Sequence, residues 1–121
     1  MLLVDDDDSL RRALVRSIRL AGFDVEGYDC VEALLAAGMP ESAALLVLDV
    51  NLPGIGGIAL KGALVEAGRD LPTIFITALD PEDVRERLAA LAPVAVLYKP
   101  LRTDDLLEAI GGTGMVPRSE P

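Results

Sequence analysis

The sequence contains no histidine, no tryptophan and a single cysteine, and these absences exclude several kinds of site. Cys30 has no second cysteine with which to form an internal disulfide, which is typical of a protein of the reducing cytoplasm. Without histidine, we expect neither a cysteine–histidine nucleophile nor a zinc site. Any bound metal ion would need oxygen ligands, which favour hard cations such as Mg²⁺.

Basic charge and long hydrophobic runs are also scarce. The chain has 11 lysines and arginines against 20 aspartates and glutamates, a net charge of −9. Since phosphate binding requires lysine and arginine patches, we expect no direct nucleic-acid binding by this domain. The longest apolar stretches are broken by Asp49 or Pro93, well short of the roughly 20 residues of a membrane helix. The chain opens on Leu2-Leu3-Val4 without a basic flank or a cleavage site, so we expect no membrane segment, no export and a cytoplasmic location.

The pattern of apolar residues predicts five strands alternating with five helices. The predicted strands lie at 1–4, 23–28, 43–48, 72–77 and 94–98. A helix follows each strand, and the last four helices are predicted at about 31–37, 57–67, 81–90 and 103–110. The first helix is expected to start with Asp8 or Ser9 as N-cap and to stop at Gly22, and Thr103 is expected to cap the last. Asp80-Pro81 should open the fourth. This order indicates an α/β fold, a doubly wound parallel sheet flanked by helices.

One stretch, AALLVLDVNLPGIGG at 43–57, dominates the sequence. Its apolar run predicts a strand buried on both faces, as in parallel sheets covered by helices. The run ends at Asp49, where the chain enters a loop rich in glycine and proline. Ligands of open α/β sheets bind at the carboxyl edge. We therefore expect Asp49 to be the chemical centre of the molecule.

Other polar residues also follow predicted strands. Asp5 and Asp6 follow the first, Thr77 ends the fourth and Lys99 follows the fifth. Carboxylates about 4 Å apart repel by roughly 4 kcal/mol at an effective dielectric constant of about 20, so they hold protons or recruit a cation. A carboxylate beside Mg²⁺ can act as a nucleophile toward phosphorus. Taken singly, the same residues could be a solvated charge run, a helix cap, a strand former and a surface lysine.

The chain resembles the receiver domain of bacterial two-component response regulators from about Leu2 to Ile110. Four motifs carry the resemblance: LLVDDD, LDVNLPGIGG, FITA and YKPL. It implies a flavodoxin-like fold with strand order 2-1-3-4-5. We accordingly expect a receiver domain at 1–110, with 111–121 as a C-terminal tail or the start of a linker to an output domain.

The resemblance also implies roles for individual residues. Asp49 matches the phospho-acceptor, which takes a phosphoryl group from a sensor histidine kinase or phosphotransfer protein. Mg²⁺ or Mn²⁺ would be held by Asp5, Asp6, Asp49 and the backbone carbonyl of Asn51, and the phosphoryl group by Thr77, Ala78 and Lys99. The domain would be no enzyme beyond its own phosphorylation and dephosphorylation. In the family, phosphorylation rearranges the face formed by helix four, strand five and helix five, commonly for homodimerisation.

One departure bears on that switch. Three residues before the lysine the family usually carries Tyr or Phe, and this chain has Val96; Tyr98 alternates onto the same face. Leu101, where Phe often follows Lys-Pro, is a smaller change. A receiver-like interaction module with weakened switching is therefore one alternative. A haloacid-dehalogenase-type phosphatase is another, since Asp5-x-Asp7, Thr77, Lys99 and Asp104-Asp105 loosely match that pattern.

Overall fold

A computed structural model describes residues 1–39, 43–52, 54–78, 82–115 and 117, with only the backbone for 82 and 83. Five parallel strands form one sheet in the order β2-β1-β3-β4-β5. The strands are β1 (Leu2–Val4), β2 (Glu26–Tyr28), β3 (Leu46–Asp49), β4 (Thr73–Thr77) and β5 (Ala95–Tyr98). The helices are α1 (Asp8–Leu20), α2 (Val31–Ala37), α3 (Gly57–Glu66), α4 (Glu82–Ala90) and α5 (Thr103–Gly111). The predicted doubly wound α/β fold and its strand order are confirmed.

Apolar side chains pack on both faces of the sheet. On one face Val47 and Ile76 pack with Leu14 of α1 and with α5, and on the other Leu48 packs with residues of α2, α3 and α4. Successive residues of a strand point to opposite faces, so a strand covered on both sides must be apolar throughout. The side chains at 45–48 are fully buried, as the uninterrupted run predicts. None of the described helices combines the length and the apolar composition needed to cross a bilayer.

Several element boundaries differ from the sequence predictions. Strand β2 is shorter than predicted because the chain after Gly22 (φ 98°) turns back on α1, where the Phe23 amide donates to the Ile18 carbonyl. Strand β3 begins at Leu46 and includes Asp49 as its last residue. The start predicted for α4 at Asp80-Pro81 lies outside the described residues.

Two of the predicted helix caps are wrong. The N-cap of α1 is Asp7, whose carboxylate accepts a hydrogen bond from the Leu10 amide at 3.1 Å. The N-cap of α5 is Arg102, which makes no side-chain capping bond, and Thr103 is the first helical residue. Asp104 and Asp105 lie in the first turn of α5, where negative charge is favourable.

A buried lysine on α3 was not predicted from the sequence. Only 2% of Lys61 is exposed, and its amine donates to the Asp70 carboxylate and the Leu71 carbonyl. These bonds join α3 to the segment that leads into β4. A buried ammonium without its partners would be costly, so both bonds are expected to contribute to stability.

Replacing Asp70 with asparagine should lower the free energy of unfolding by about 1–3 kcal/mol, because the Lys61 ammonium loses its countercharge. Lys61→Met, which removes the buried charge itself, should stay within about 1 kcal/mol of the wild type. Urea denaturation of both variants and of the double variant tests this. In the Lys61→Met background Asp70→Asn should be nearly neutral, and an undiminished cost there would show that the ion pair is not its cause.

Candidate functional site

The acids predicted to gather at the carboxyl edge lie together there. Strands β1 and β3 are neighbours with Val4 opposite Leu48, so Asp5 and Asp49 are adjacent at the ends of their strands. One carboxylate oxygen from each of Asp5, Asp6 and Asp49 lies within 4.8 Å of the others. Asp5 and Asp49 are almost wholly buried, whereas Asp6 is exposed. The cluster therefore has a closed inner side and an open outer side.

Lys99 reaches this cluster along the same edge of the sheet, from the end of strand β5. It follows β5, two strands away from β3, and its Nζ lies 2.8 Å from Oδ2 of Asp49 and 3.5 Å from Oδ2 of Asp5. Thr77 ends β4, the strand between β3 and β5, and only 2% of it is exposed. Ala78 follows as an exposed residue. All the strand-end residues singled out from the sequence thus share one edge.

Neighbouring amides orient the two buried carboxylates. Oδ1 of Asp5 accepts from the Asp7 amide, and Oδ1 of Asp49 accepts from the Asn51 amide, both at 2.9 Å. Oδ2 of Asp49 accepts from Lys99. Within the described part of the chain, Oδ2 of Asp5 is buried and has no hydrogen-bond partner. This oxygen, beside the Asp49 carboxylate, has an ion-pair contact with Lys99 Nζ at 3.5 Å but no hydrogen-bond donor among the described residues.

The electrostatics follow from this burial. Desolvation raises the pKa of Asp5, and the nearby negative charges of Asp49 and Asp6 raise it further. The hydrogen bond from the Asp7 amide and the positive charge of Lys99 lower it, but they do not cancel the increase. Burial alone would lower the pKa of Lys99, but its hydrogen bond to Asp49 and the charges of both carboxylates outweigh it and raise that pKa. Lys99 is therefore firmly cationic at neutral pH, while an ionised Asp5 is costly.

These features fit a hard divalent cation. Three carboxylate oxygens are close enough to share an ion, all the ligand atoms are oxygen, and among the described residues one buried oxygen, Oδ2 of Asp5, accepts no hydrogen bond. Because Asp6 is exposed, a cation held by the three acids could also bind water or another ligand from the solvent side. Asp5, Asp6 and Asp49 could hold Mg²⁺ or Mn²⁺.

Replacing Asp5 with asparagine should raise the metal-free protein's free energy of unfolding near neutral pH, because the neutral amide avoids the cost of ionising a buried carboxyl group. The folded-state pKa of Asp5 lies above its ordinary 3.8, so its ionisation disfavours folding. The stability that the protonated Asp5 carboxyl group contributes is fully present below pH 3.8. It is lost as the pH rises through the folded-state pKa of Asp5.

Denaturation curves at several pH values, with and without MgCl₂, test this expectation. The wild type should gain more from Mg²⁺ than Asp5→Asn does, and its gain should grow with pH. Asp29→Asn, the same change at an exposed site, is the control. An Asp5→Asn protein less stable than the wild type at neutral pH without metal would contradict the prediction.

The residues at the expected switch position are placed by the sheet register. Val96 lies opposite Phe75 and Tyr98 lies opposite Thr77. Val96 packs with the core cluster on the α2, α3 and α4 face, whereas Tyr98 is 44% exposed. The ring nearest to Thr77 in the sheet register is therefore Tyr98, at the rim.

Sequence reasoning missed three supporting residues. Arg11 of α1 donates to the Asp5 carbonyl at 3.0 Å and to the Asp8 carboxylate at 2.7 Å. Glu32 of α2 accepts from the Ile55 amide, at 3.5 Å, in the loop after β3. At Gly57 a Cβ atom would lie 2.7 Å from the Asp49 carbonyl oxygen, so α3 can start this close to Asp49 only with glycine there. The glycine-rich loop was visible in the sequence, but the other two contacts had no signal.

Comparison with known proteins gives the family. The family model described as response regulator receiver domain matches residues 1–111. Nodulation protein W of Bradyrhizobium diazoefficiens is 34% identical over 110 residues, covering 91% of this chain and 48% of that protein. Response regulator MprA of Mycobacterium avium is 40% identical over 112 residues, covering 88% of this chain and 47% of that protein. The chain belongs to the response regulator receiver domain family, the signalling domains of two-component systems.

Solved structures agree with this assignment. The non-phosphorylated HemR receiver domain from Leptospira biflexa superposes with a TM-score of 0.85 at 27% identity, covering 99% of this chain and 97% of that one. The response regulator StyR gives a TM-score of 0.80 at 38% identity, covering 91% of this chain and 56% of that one. The chain spans about half the length of the curated relatives it matches.

Proposed function

We propose that this domain is phosphorylated on Asp49 and acts as a phosphorylation-controlled switch. The observation that carries the proposal is the contact of Lys99 Nζ with Asp49 Oδ2 at 2.8 Å, in a cluster that also contains the Asp5 and Asp6 carboxylates. A carboxylate held between a fixed cation and two further acids suits phosphoryl transfer, in which charge must be neutralised at the acceptor. The donor is a phosphohistidine of a sensor histidine kinase or phosphotransfer protein.

In the transfer step an Asp49 carboxylate oxygen attacks phosphorus, a P–O bond forms, and the P–N bond to the donor imidazole breaks. The imidazole leaves with the electron pair of that bond and takes up a proton. Asp5, Asp6, Asp49 and the Asn51 carbonyl would hold Mg²⁺ or Mn²⁺, which neutralises phosphoryl charge when bound. Hydrolysis of the acyl phosphate by water regenerates the Asp49 carboxylate. The domain catalyses only these reactions on itself.

The added phosphoryl group carries about −1.5 to −2 charges, and its neighbours must respond. Lys99 compensates one charge, and the Thr77 hydroxyl and the Ala78 amide donate to phosphoryl oxygens. Movement of Thr77 is transmitted to the face formed by α4, β5 and α5, where homodimerisation is one output. Control of an output domain joined C-terminally to residue 111 is a second possible output, since the curated relatives are about twice as long as the matched region.

Incubation with acetyl phosphate and Mg²⁺ tests the proposal. The intact protein should gain the mass of one phosphoryl group, the group should be lost at extreme pH as acyl phosphates are, and EDTA should prevent its addition. An unmodified protein under these conditions would refute phospho-acceptance.

A second candidate, a receiver-like module with weakened switching, is favoured by Val96, which has no ring to rotate. It retains phospho-acceptance but not the rearrangement. Hydrogen exchange of α4, β5 and α5 with and without phosphate separates the two functions. Unchanged exchange in fully phosphorylated protein would favour the non-switching module.

A further inference from the structure

A groove lies between helix α1 and the edge strand β2, away from the acidic cluster. Its volume is about 610 Å³, and four of its lining residues are arginines of α1. The described residues that line it are Arg11, Arg12, Val15, Arg16, Arg19, Leu20, Glu26 and Gly27. The chain as a whole carries a net charge of −9, so this groove has the opposite sign to the rest of the molecule.

The four arginines fall into two pairs with different surroundings. Arg11 and Arg19, on the row nearest β2, are held by protein groups: Arg11 by the Asp5 carbonyl and Asp8, and Arg19 by the Val25 carbonyl at 2.9 Å. Arg12 and Arg16 are exposed, and neither makes a hydrogen bond or ion pair with any residue that the structure describes. The outer pair therefore remains available to an anionic ligand.

The exposed residues that line the groove on α1 form a row that ends in an apolar side chain. Arg12, Arg16 and Leu20 follow one another at four-residue intervals, so they rise along α1 in steps of about 6 Å. Leu20 is 78% exposed and is the last residue of the helix. On the floor, Gly27 has no side chain, and a Cβ atom there would lie 2.9 Å from Val15 Cγ2. Glycine thus allows α1 to lie directly against β2 and leaves the space beside it open.

We propose that this groove binds an extended acidic peptide segment of a partner protein, with the pattern acid-x-acid-x-apolar. In an extended chain, residues two apart lie on one side at a spacing of about 6.6 Å, close to the 6 Å steps of the helix row. The two acids pair with Arg12 and Arg16, and the apolar residue covers Leu20. This interaction does not depend on phosphorylation of Asp49.

Charge favours a short peptide over a nucleic acid. The described lining of the groove extends from Arg11 to Leu20, about 14 Å along the helix; Glu26 is itself a lining residue, and Asp8 pairs with Arg11 at one end. A polyanion longer than the groove would meet an acidic surface within about one Debye length. Among the described residues that line the groove, none is aromatic, so none offers a ring on which a base could stack.

Fluorescence anisotropy with the labelled peptide Gly-Glu-Ser-Glu-Ser-Leu-Ser-Gly tests the proposal on the unphosphorylated protein. We expect saturable binding that weakens with salt. The double variant Arg12→Glu/Arg16→Glu should weaken it by at least about tenfold, and Leu20→Ser should weaken it less. Arg87→Glu/Arg102→Glu has the same change of net charge outside the groove and should bind as the wild type does.

Three outcomes would overturn the proposal. The first is no saturable binding to the wild type, and the second is equal weakening by the control double variant, which would indicate general charge attraction. The third is tighter binding of a single-stranded oligonucleotide of similar length. A peptide with glutamine in place of both glutamates should not bind. Because both double variants leave Asp49 and Lys99 intact, phospho-acceptance can be measured separately in the same proteins.

Discussion

The Asp49→Asn protein should take up no phosphoryl group from acetyl phosphate and Mg²⁺, while the wild type takes up one. The asparagine amide has nearly the same shape as the carboxylate but is not a nucleophile toward phosphorus. Lys99 keeps Asp5 as an ion-pair partner, so the fold should survive. Intact-protein mass spectrometry measures the uptake, and thermal unfolding confirms that the variant is folded.

Asp104→Asn is the matched control for this experiment, because it makes the same change at an exposed acid in the first turn of α5. It should be phosphorylated as the wild type is. Asp5→Asn separates phospho-acceptance at Asp49 from a phosphatase in which Asp5 is the nucleophile. If Asp49→Asn still forms a covalent phosphate and Asp5→Asn does not, Asp49 is not the acceptor.

Replacing Lys99 with methionine should destabilise the metal-free domain by about 3 kcal/mol near neutral pH, a value typical of breaking a buried ion pair. The ammonium contacts two carboxylates that are 0% and 2% exposed, and without it they face each other with no countercharge. Two negative charges about 4 Å apart repel by about 4 kcal/mol at an effective dielectric constant of about 20, so an effect of this size is reasonable.

The deficit of the Lys99→Met protein should depend on pH and on metal. Loss of the cation raises the already raised pKa of Asp5 further. The deficit should therefore be small below 3.8, where the carboxyl is protonated in both states, and should grow as the pH rises through the folded-state pKa. Mg²⁺ should restore part of the loss. Urea denaturation over this pH range measures the deficit, and Arg102→Met, at an exposed site, is the control. A deficit that does not change with pH would show that lost packing, rather than lost charge, is responsible.

Much of the site was predictable because it lies at strand ends. Asp5, Asp49, Thr77 and Lys99 were assigned to one edge from the order of elements alone, and the structure brings them there. This succeeds because parallel strands joined by helices all point the same way, so every strand delivers its last residue to the same edge. Cap positions were less predictable, since Asp7, Asp8 and Ser9 can each cap a helix and packing selects among them.

The sequence by itself determined the fold class, the approximate position of every element and the acidic edge, because apolar periodicity and strand-end chemistry are local properties of the chain. Tertiary structure alone decided that Lys99 reaches past β4 to two carboxylates, that Lys61 is buried against Asp70, and that the arginines of α1 line a groove against β2. Those contacts join residues far apart in the chain or on different elements. Their distances depend on how helices pack on the sheet, and no local pattern of residues encodes them.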